Sequence, residues 1–104
     1  MDDNKLQLIA STGSIPAGKT QCVTVDGQEI LLCHSKEGWY AIDNMCSHAK
    51  ARLSEGKLKG CKVLCPLHGA AFDIRDGAAL SKPASIPLKT YPLKITGDDI
   101  FIVL

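Results

Sequence analysis

Cys46-Ser47-His48 and Cys65-Pro66-Leu67-His68 each offer one thiolate and one imidazole, and sixteen residues separate the two phrases. Two thiolates and two neutral imidazoles can close the shell of one tetrahedral zinc. They can also hold a two-iron cluster with sulfur on one iron and nitrogen on the other. The spacing favours the cluster. A single zinc is usually wrapped by a Cys-x-x type of spacing, whereas a one-residue gap in extended chain separates Cα atoms by roughly 6–7 Å, which suits neighbouring metal ions. The candidate ligands are therefore Cys46, His48, Cys65 and His68. A zinc-stabilised interaction module is the reading from another class, and it would be colourless.

The elements that must position these residues read as all-β. Thr20 to Val25 and Gln28 to Cys33 are apolar-rich runs joined by Asp26-Gly27, a two-residue hairpin signal. Trp39 to Ile42 reads as the next strand, after a turn at Lys36-Glu37-Gly38. Leu93 to Ile95 and Ile100 to Val103 form a last hairpin across Thr96-Gly97-Asp98-Asp99. Between these groups lies an insert of about residues 45–80 that holds every candidate ligand. No window carries helical periodicity, and there is no repeat or low-complexity tract. The expectation is one domain over residues 1–104, a small β-sandwich or barrel base with an inserted cluster-binding lobe.

The remaining reactive residues have plainer readings. The Asp26-Gly27 register pairs Cys22 with Leu31 and Cys33 with Thr20, so the two cysteines are diagonal neighbours roughly 7–8 Å apart, beyond disulfide reach. They read as buried thiols. Cys61 reads as a strand residue beside the cluster, and His34 as a surface turn histidine. Trp39 and Tyr40 read as apolar strand residues, since five aromatics make no stacking platform.

A formal net charge of +1 gives no support for nucleic-acid binding. The charge is uneven: residues 46–76 hold six bases against three acids, so the cluster end is the basic end. No apolar run approaches the ~18 residues of a spanning helix, and Met1-Asp2-Asp3-Asn4 has no signal-peptide character. Together with an odd number of cysteines left over from the ligands, this predicts a cytoplasmic protein without a membrane partner.

Cys-x-His followed by Cys-Pro-x-His-Gly resembles the signature of Rieske [2Fe-2S] proteins. Leu53-Ser54-Glu55-Gly56, Gly69-Ala70-Ala71-Phe72-Asp73 and the stretch Pro83 to Pro87 also resemble phrases of small Rieske-type ferredoxins. The resemblance implies that Cys46 and Cys65 hold the inner iron of one [2Fe-2S] cluster, and His48 and His68 the outer one near solvent. Where respiratory Rieske proteins carry a serine and a tyrosine hydroxyl directed at the cluster, this chain has Ala70 and Phe72. Where they carry an extra cysteine pair, it has Ala51 and Leu67. These departures, and the missing membrane anchor, match the soluble low-potential branch.

That branch is similar to the ferredoxin component of bacterial aromatic-ring-hydroxylating dioxygenase systems, which shuttles electrons from an NAD(P)H-dependent flavin reductase to a terminal oxygenase. A chain with only His34 left over cannot itself build the mononuclear iron site of an oxygenase, and no Gly-x-Gly-x-x-Gly phrase would take NADH directly. An electron carrier, not an enzyme, is expected. The small subunit of an assimilatory nitrite reductase is the closest redox alternative.

Overall fold

The computed structural model describes residues 6–47, 51–67, 69–81 and 86–103. Among them the backbone is built of ten strands with two three-residue 3₁₀ turns, at Thr12–Ser14 and Leu53–Glu55. The strands are β1 (Leu6–Ser11), β2 (Lys19–Val25), β3 (Gln28–Ser35), β4 (Gly38–Asp43), β5 (Lys57–Lys59), β6 (Lys62–Leu64), β7 (Ala71–Asp73), β8 (Thr90–Tyr91), β9 (Leu93–Thr96) and β10 (Asp99–Val103). They form three antiparallel sheets, in the orders β1-β10-β9, β2-β3-β4-β8 and β5-β6-β7. The all-β expectation holds. The first two sheets are the sandwich base, and the third is the lobe that the insert makes.

The β2-β3 hairpin turns at Asp26 and Gly27, whose φ values of 52° and 79° are those of a primed turn matching the strand twist. Its register pairs Cys22 with Leu31 and Thr20 with Cys33, as the turn dictates. The last hairpin is tighter than expected, because the pairing runs out to Thr96 and Asp99 and leaves only Gly97-Asp98 as the turn. Strand β1 has no counterpart in the sequence reading. Its partner β10 lies at the other end of the chain, so no local turn announces it, and its Leu6 and Leu8 face solvent.

Strand β3 explains how a lobe can be mounted on this base. Ile30 and Leu32 point into the sandwich, where Ile30 meets Val25, Ala41, Tyr91 and Ile102, and Leu32 meets Ile15 and Ile100. Leu31 and Cys33 point the other way, into a core shared with Ile42 and with the lobe residues Leu53, Val63, Phe72 and Ile74. The alternation of a strand thus serves two cores at once. Facing partners agree, since Leu31 pairs with Ile42 and Cys33 with Tyr40 on the lobe side, and Leu32 with Ala41 on the sandwich side. Burial pushes the Cys33 thiol up to about 12, so it is an inert packing group.

Two expectations are corrected here. His34 belongs to β3 rather than to a turn: it stacks on Trp39 with ring centroids 3.9 Å apart, and its Nδ1 lies 2.7 Å from the Ile15 carbonyl oxygen. Cys61 is not a strand residue beside the ligands. It sits with Gly60 in the turn between β5 and β6, since Lys59 pairs with Lys62, and its thiol lies 3.9 Å from the Ser35 hydroxyl. At about 3.3 Å per residue the length of β6 puts it roughly 13 Å from Cys65.

Leu31 is fully buried between base and lobe. Leu31→Ala should lower the unfolding free energy by about 2–5 kcal/mol, read as a reduced denaturation midpoint with an unchanged slope.

Candidate metal centre

Cys46 and Cys65 come from different parts of the lobe and are built into it in the same way. The Cys46 N–H donates to the Ala51 carbonyl at 2.9 Å, and the Cys65 N–H donates to the Ala70 carbonyl at 2.7 Å. Each cysteine therefore opens a loop that closes on an alanine five residues later. The sequence between cysteine and alanine is Ser47-His48-Ala49-Lys50 in one and Pro66-Leu67-His68-Gly69 in the other. The second loop caps the β6-β7 ladder, whose last pair is Leu64 with Ala71. The first rests on a single bridge between Met45 and Arg52.

Gly56 lets these two limbs come together. A Cβ there would stand 1.8 Å from the carbonyl oxygen of Leu64, the residue before Cys65, so only glycine admits this approach. A third segment is tied to both loops. The Ser47 hydroxyl donates to the Ile86 carbonyl at 2.6 Å, and the Ala71 N–H to the Ser81 hydroxyl at 3.1 Å.

Both thiols are buried, 4% and 3% exposed, in one apolar core with Ala51, Leu53, Ala70 and Phe72. They are in hydrogen-bonding contact with each other, and no disulfide joins them. Burial raises the Cys65 pKa and the neighbouring Cys46 thiol adds to this, while the Leu67 N–H, donating to the sulfur, opposes them. An anionic sulfur at Cys65 would find that N–H in place. Two neighbouring cysteines in an apolar core suit a shared metal group, since a bound cation would favour the Cys65 thiolate that burial opposes.

His48 and His68 lie outside the described residues, and among the described residues no three metal donors gather. The sulfur half of the expected ligand set is thus brought together. His34, the other histidine, is on the sandwich side of β3 and directed at Ile15, away from the thiols. Asn44, two residues before Cys46, is a buried polar residue that sequence reasoning missed.

Residues 5–92 match the model of the Rieske [2Fe-2S] domain. The chain belongs to the Rieske [2Fe-2S] domain family. It is 44% identical over 90 residues, 86% of each chain, to the ferredoxin component of the naphthalene 1,2-dioxygenase system of Pseudomonas aeruginosa. Its fold superposes on the ferredoxin of carbazole 1,9a-dioxygenase from Nocardioides aromaticivorans IC177 with a TM-score of 0.90, at 31% identity and covering 94% and 96% of the two chains. It also superposes on a chain from the complex of reduced oxygenase and oxidized ferredoxin in carbazole 1,9a-dioxygenase, with a TM-score of 0.89, 26% identity and coverage of 93% and 91%.

The cofactor is accordingly a Rieske-type [2Fe-2S] cluster, and the paired thiols of Cys46 and Cys65 fit its sulfur-ligated iron. Cys46→Ser or Cys65→Ser should yield protein without the red-brown colour, lacking iron and acid-labile sulfide. Cys22→Ser and Cys61→Ser, remote from the loops, should keep both. Iron and sulfide assays with the visible spectrum check this.

Proposed function

We propose that this chain carries single electrons from an NAD(P)H-dependent flavin reductase to a terminal ring-hydroxylating oxygenase, on one [2Fe-2S] cluster held by Cys46, His48, Cys65 and His68. The observation that supports it most is the pair of facing thiols at the end of a lobe, in a chain alike over most of its length to dioxygenase ferredoxins. Those relatives are named as ferredoxin components of dioxygenase systems, which favours this reading over the small subunit of a nitrite reductase. The reading takes residues 1–104 as one domain with its cluster lobe at about 45–80. It also places the protein in the cytoplasm, in keeping with the odd number of cysteines left after the ligands. No helix among the described residues is long and apolar enough to cross a membrane.

When bound, the cluster takes up and gives back one electron, and its two neutral nitrogen ligands place the potential within about −150 to +300 mV. The protein residues around the thiols set the value inside that range. Ala70 and Phe72 are fully buried beside Cys65 and offer it no hydroxyl. The potential should therefore lie near the low end, about −150 mV, and Ala70→Ser or Phe72→Tyr should raise it in film voltammetry. A wild-type value well above zero would show that another donor compensates.

The lobe tip is also a contact surface. Leu67, Met45 and Ile86 are exposed large apolar residues there, 45%, 46% and 62% accessible. Leu67 and Met45 share an open groove with Pro66, Ala51, Arg52 and Glu55. Arg52 is less available for steering than its charge suggests, because its guanidinium pairs with Glu29 at 3.2 Å. Reconstitution with reductase, oxygenase and NADH, following hydroxylated product, tests the proposal. Leu67→Glu or Ile86→Glu should slow turnover roughly tenfold at unchanged visible spectrum, and Lys94→Glu on β9 should leave it unchanged. Equal effects at all three positions would rule out the tip as the docking surface.

A further inference from the structure

The two ligand loops are supported unequally. The second stands on three ladder pairs between β6 and β7. The first has one isolated bridge, Met45 with Arg52, before its return limb turns into the 3₁₀ segment Leu53–Glu55. What a ladder does for one loop must be done by something else for the other.

Asn44 stands at the neck of that first loop and is fully buried. Its backbone N–H donates to the Glu29 carbonyl at 3.2 Å, and its carbonyl accepts from the Leu53 N–H at 2.6 Å. Its side-chain Oδ1 accepts from the Ser54 N–H at 2.8 Å, and its Nδ2 donates to Glu29 Oε1 at 3.1 Å. The other oxygen of Glu29, Oε2, holds Arg52 on the return limb at 3.2 Å. One amide thus joins the outgoing limb, the returning limb and β3. Each of its ends has the partner its chemistry requires, an N–H facing the oxygen and a carboxylate facing the NH₂ group.

We propose that Asn44 is a positioning residue for the cluster: with Glu29 it locks both limbs of the first ligand loop onto β3 and so holds the Cys46 sulfur opposite that of Cys65. The inference rests on Cys46 and Cys65 being ligands. A buried side chain serving two limbs that no ladder joins cannot be replaced by water, and slack at the neck passes directly to Cys46 two residues on. Removing a group that holds a metal ligand in place typically changes metal retention by about 10–100-fold.

The test exchanges donor and acceptor. Asn44→Asp keeps the acceptor for Ser54 but removes the donor to Glu29 and sets two carboxylates against each other. Adding Glu29→Gln restores a hydrogen bond in the reverse direction, the new amide on β3 donating to the new carboxylate at the loop neck, and leaves an oxygen for Arg52. Holoprotein of each variant is mixed with excess ferrous chelator, and iron release is followed together with the visible circular dichroism of the cluster.

Asn44→Asp should release iron about tenfold faster with an altered dichroism, and the double variant should return to within about threefold of wild type with the wild-type spectrum. If the single variant lowers the thermal midpoint yet keeps the wild-type release rate and spectrum, Asn44 is structural only and the proposal falls. It falls equally if the double variant is no better than the single one. Should Asn44→Asp fail to fold, the double variant decides alone: a wild-type cluster in it supports the proposal and its absence overturns it. Retention of the cluster by Cys46→Ser would instead remove the ligand assignment on which the inference stands.

Discussion

Two thiols facing each other in an apolar core are the constraint around which this molecule is arranged. Burial and the neighbouring Cys46 thiol both oppose a charge on the Cys65 sulfur. In the proposed reading a metal group would reverse that balance by supplying the countercharge and taking both sulfurs as ligands. The rest of the lobe reads as the means of bringing Cys46 and Cys65 to the same place from limbs nineteen residues apart.

The base provides rigidity by making one strand serve two interiors. Had β3 alternated apolar with polar residues, as the strands of a sandwich with one wet face do, the lobe would have had nothing to pack on. With Leu31 and Cys33 on its outer face, joined by Ile42 and Tyr40 of β4, it gives the lobe a floor. Small residues then decide the distances above that floor. Alanines close both loops, and Gly56 allows the limbs to touch backbone to backbone. The same choice leaves the sulfur side of the site without hydroxyl donors at Ala70 and Phe72, so its electrostatics come from backbone N–H groups such as that of Leu67. Position and poise are set by the same short segments.

Much of this was legible in the chain because it is local. The paired Cys-x-His and Cys-Pro-x-His phrases name the chemistry, Asp26-Gly27 fixes a hairpin register, and that register alone places Cys22 and Cys33 out of bonding reach. What could not be read depends on contacts between distant segments. Strand β1 is defined by β10 at the far end of the chain, and its outward Leu6 and Leu8 blur the alternation that marks a strand. His34 looked like a turn residue because it stands just before Ser35-Lys36-Glu37-Gly38, whereas pairing with Lys19 on one side and Trp39 on the other keeps it in β3. Asn44 gave no signal at all: an asparagine after a strand reads as a loop residue, and only the fold brings Glu29 and Ser54 to its two ends. A buried polar residue whose amide oxygen and nitrogen each have a partner is visible only once the structure is in hand.

The proposed electron carrier stands or falls on whether the facing thiols hold one iron of a cluster whose other iron is bound by nitrogen from His48 and His68. Pulsed electron paramagnetic resonance of the reduced protein, grown with ¹⁵N-histidine, decides this. Hyperfine coupling to two histidine nitrogens on one iron is expected, with one coupling lost in His48→Cys and the other in His68→Cys. Reduced protein with no histidine nitrogen coupling, or with a coupling that disappears only on replacing His34, would contradict it.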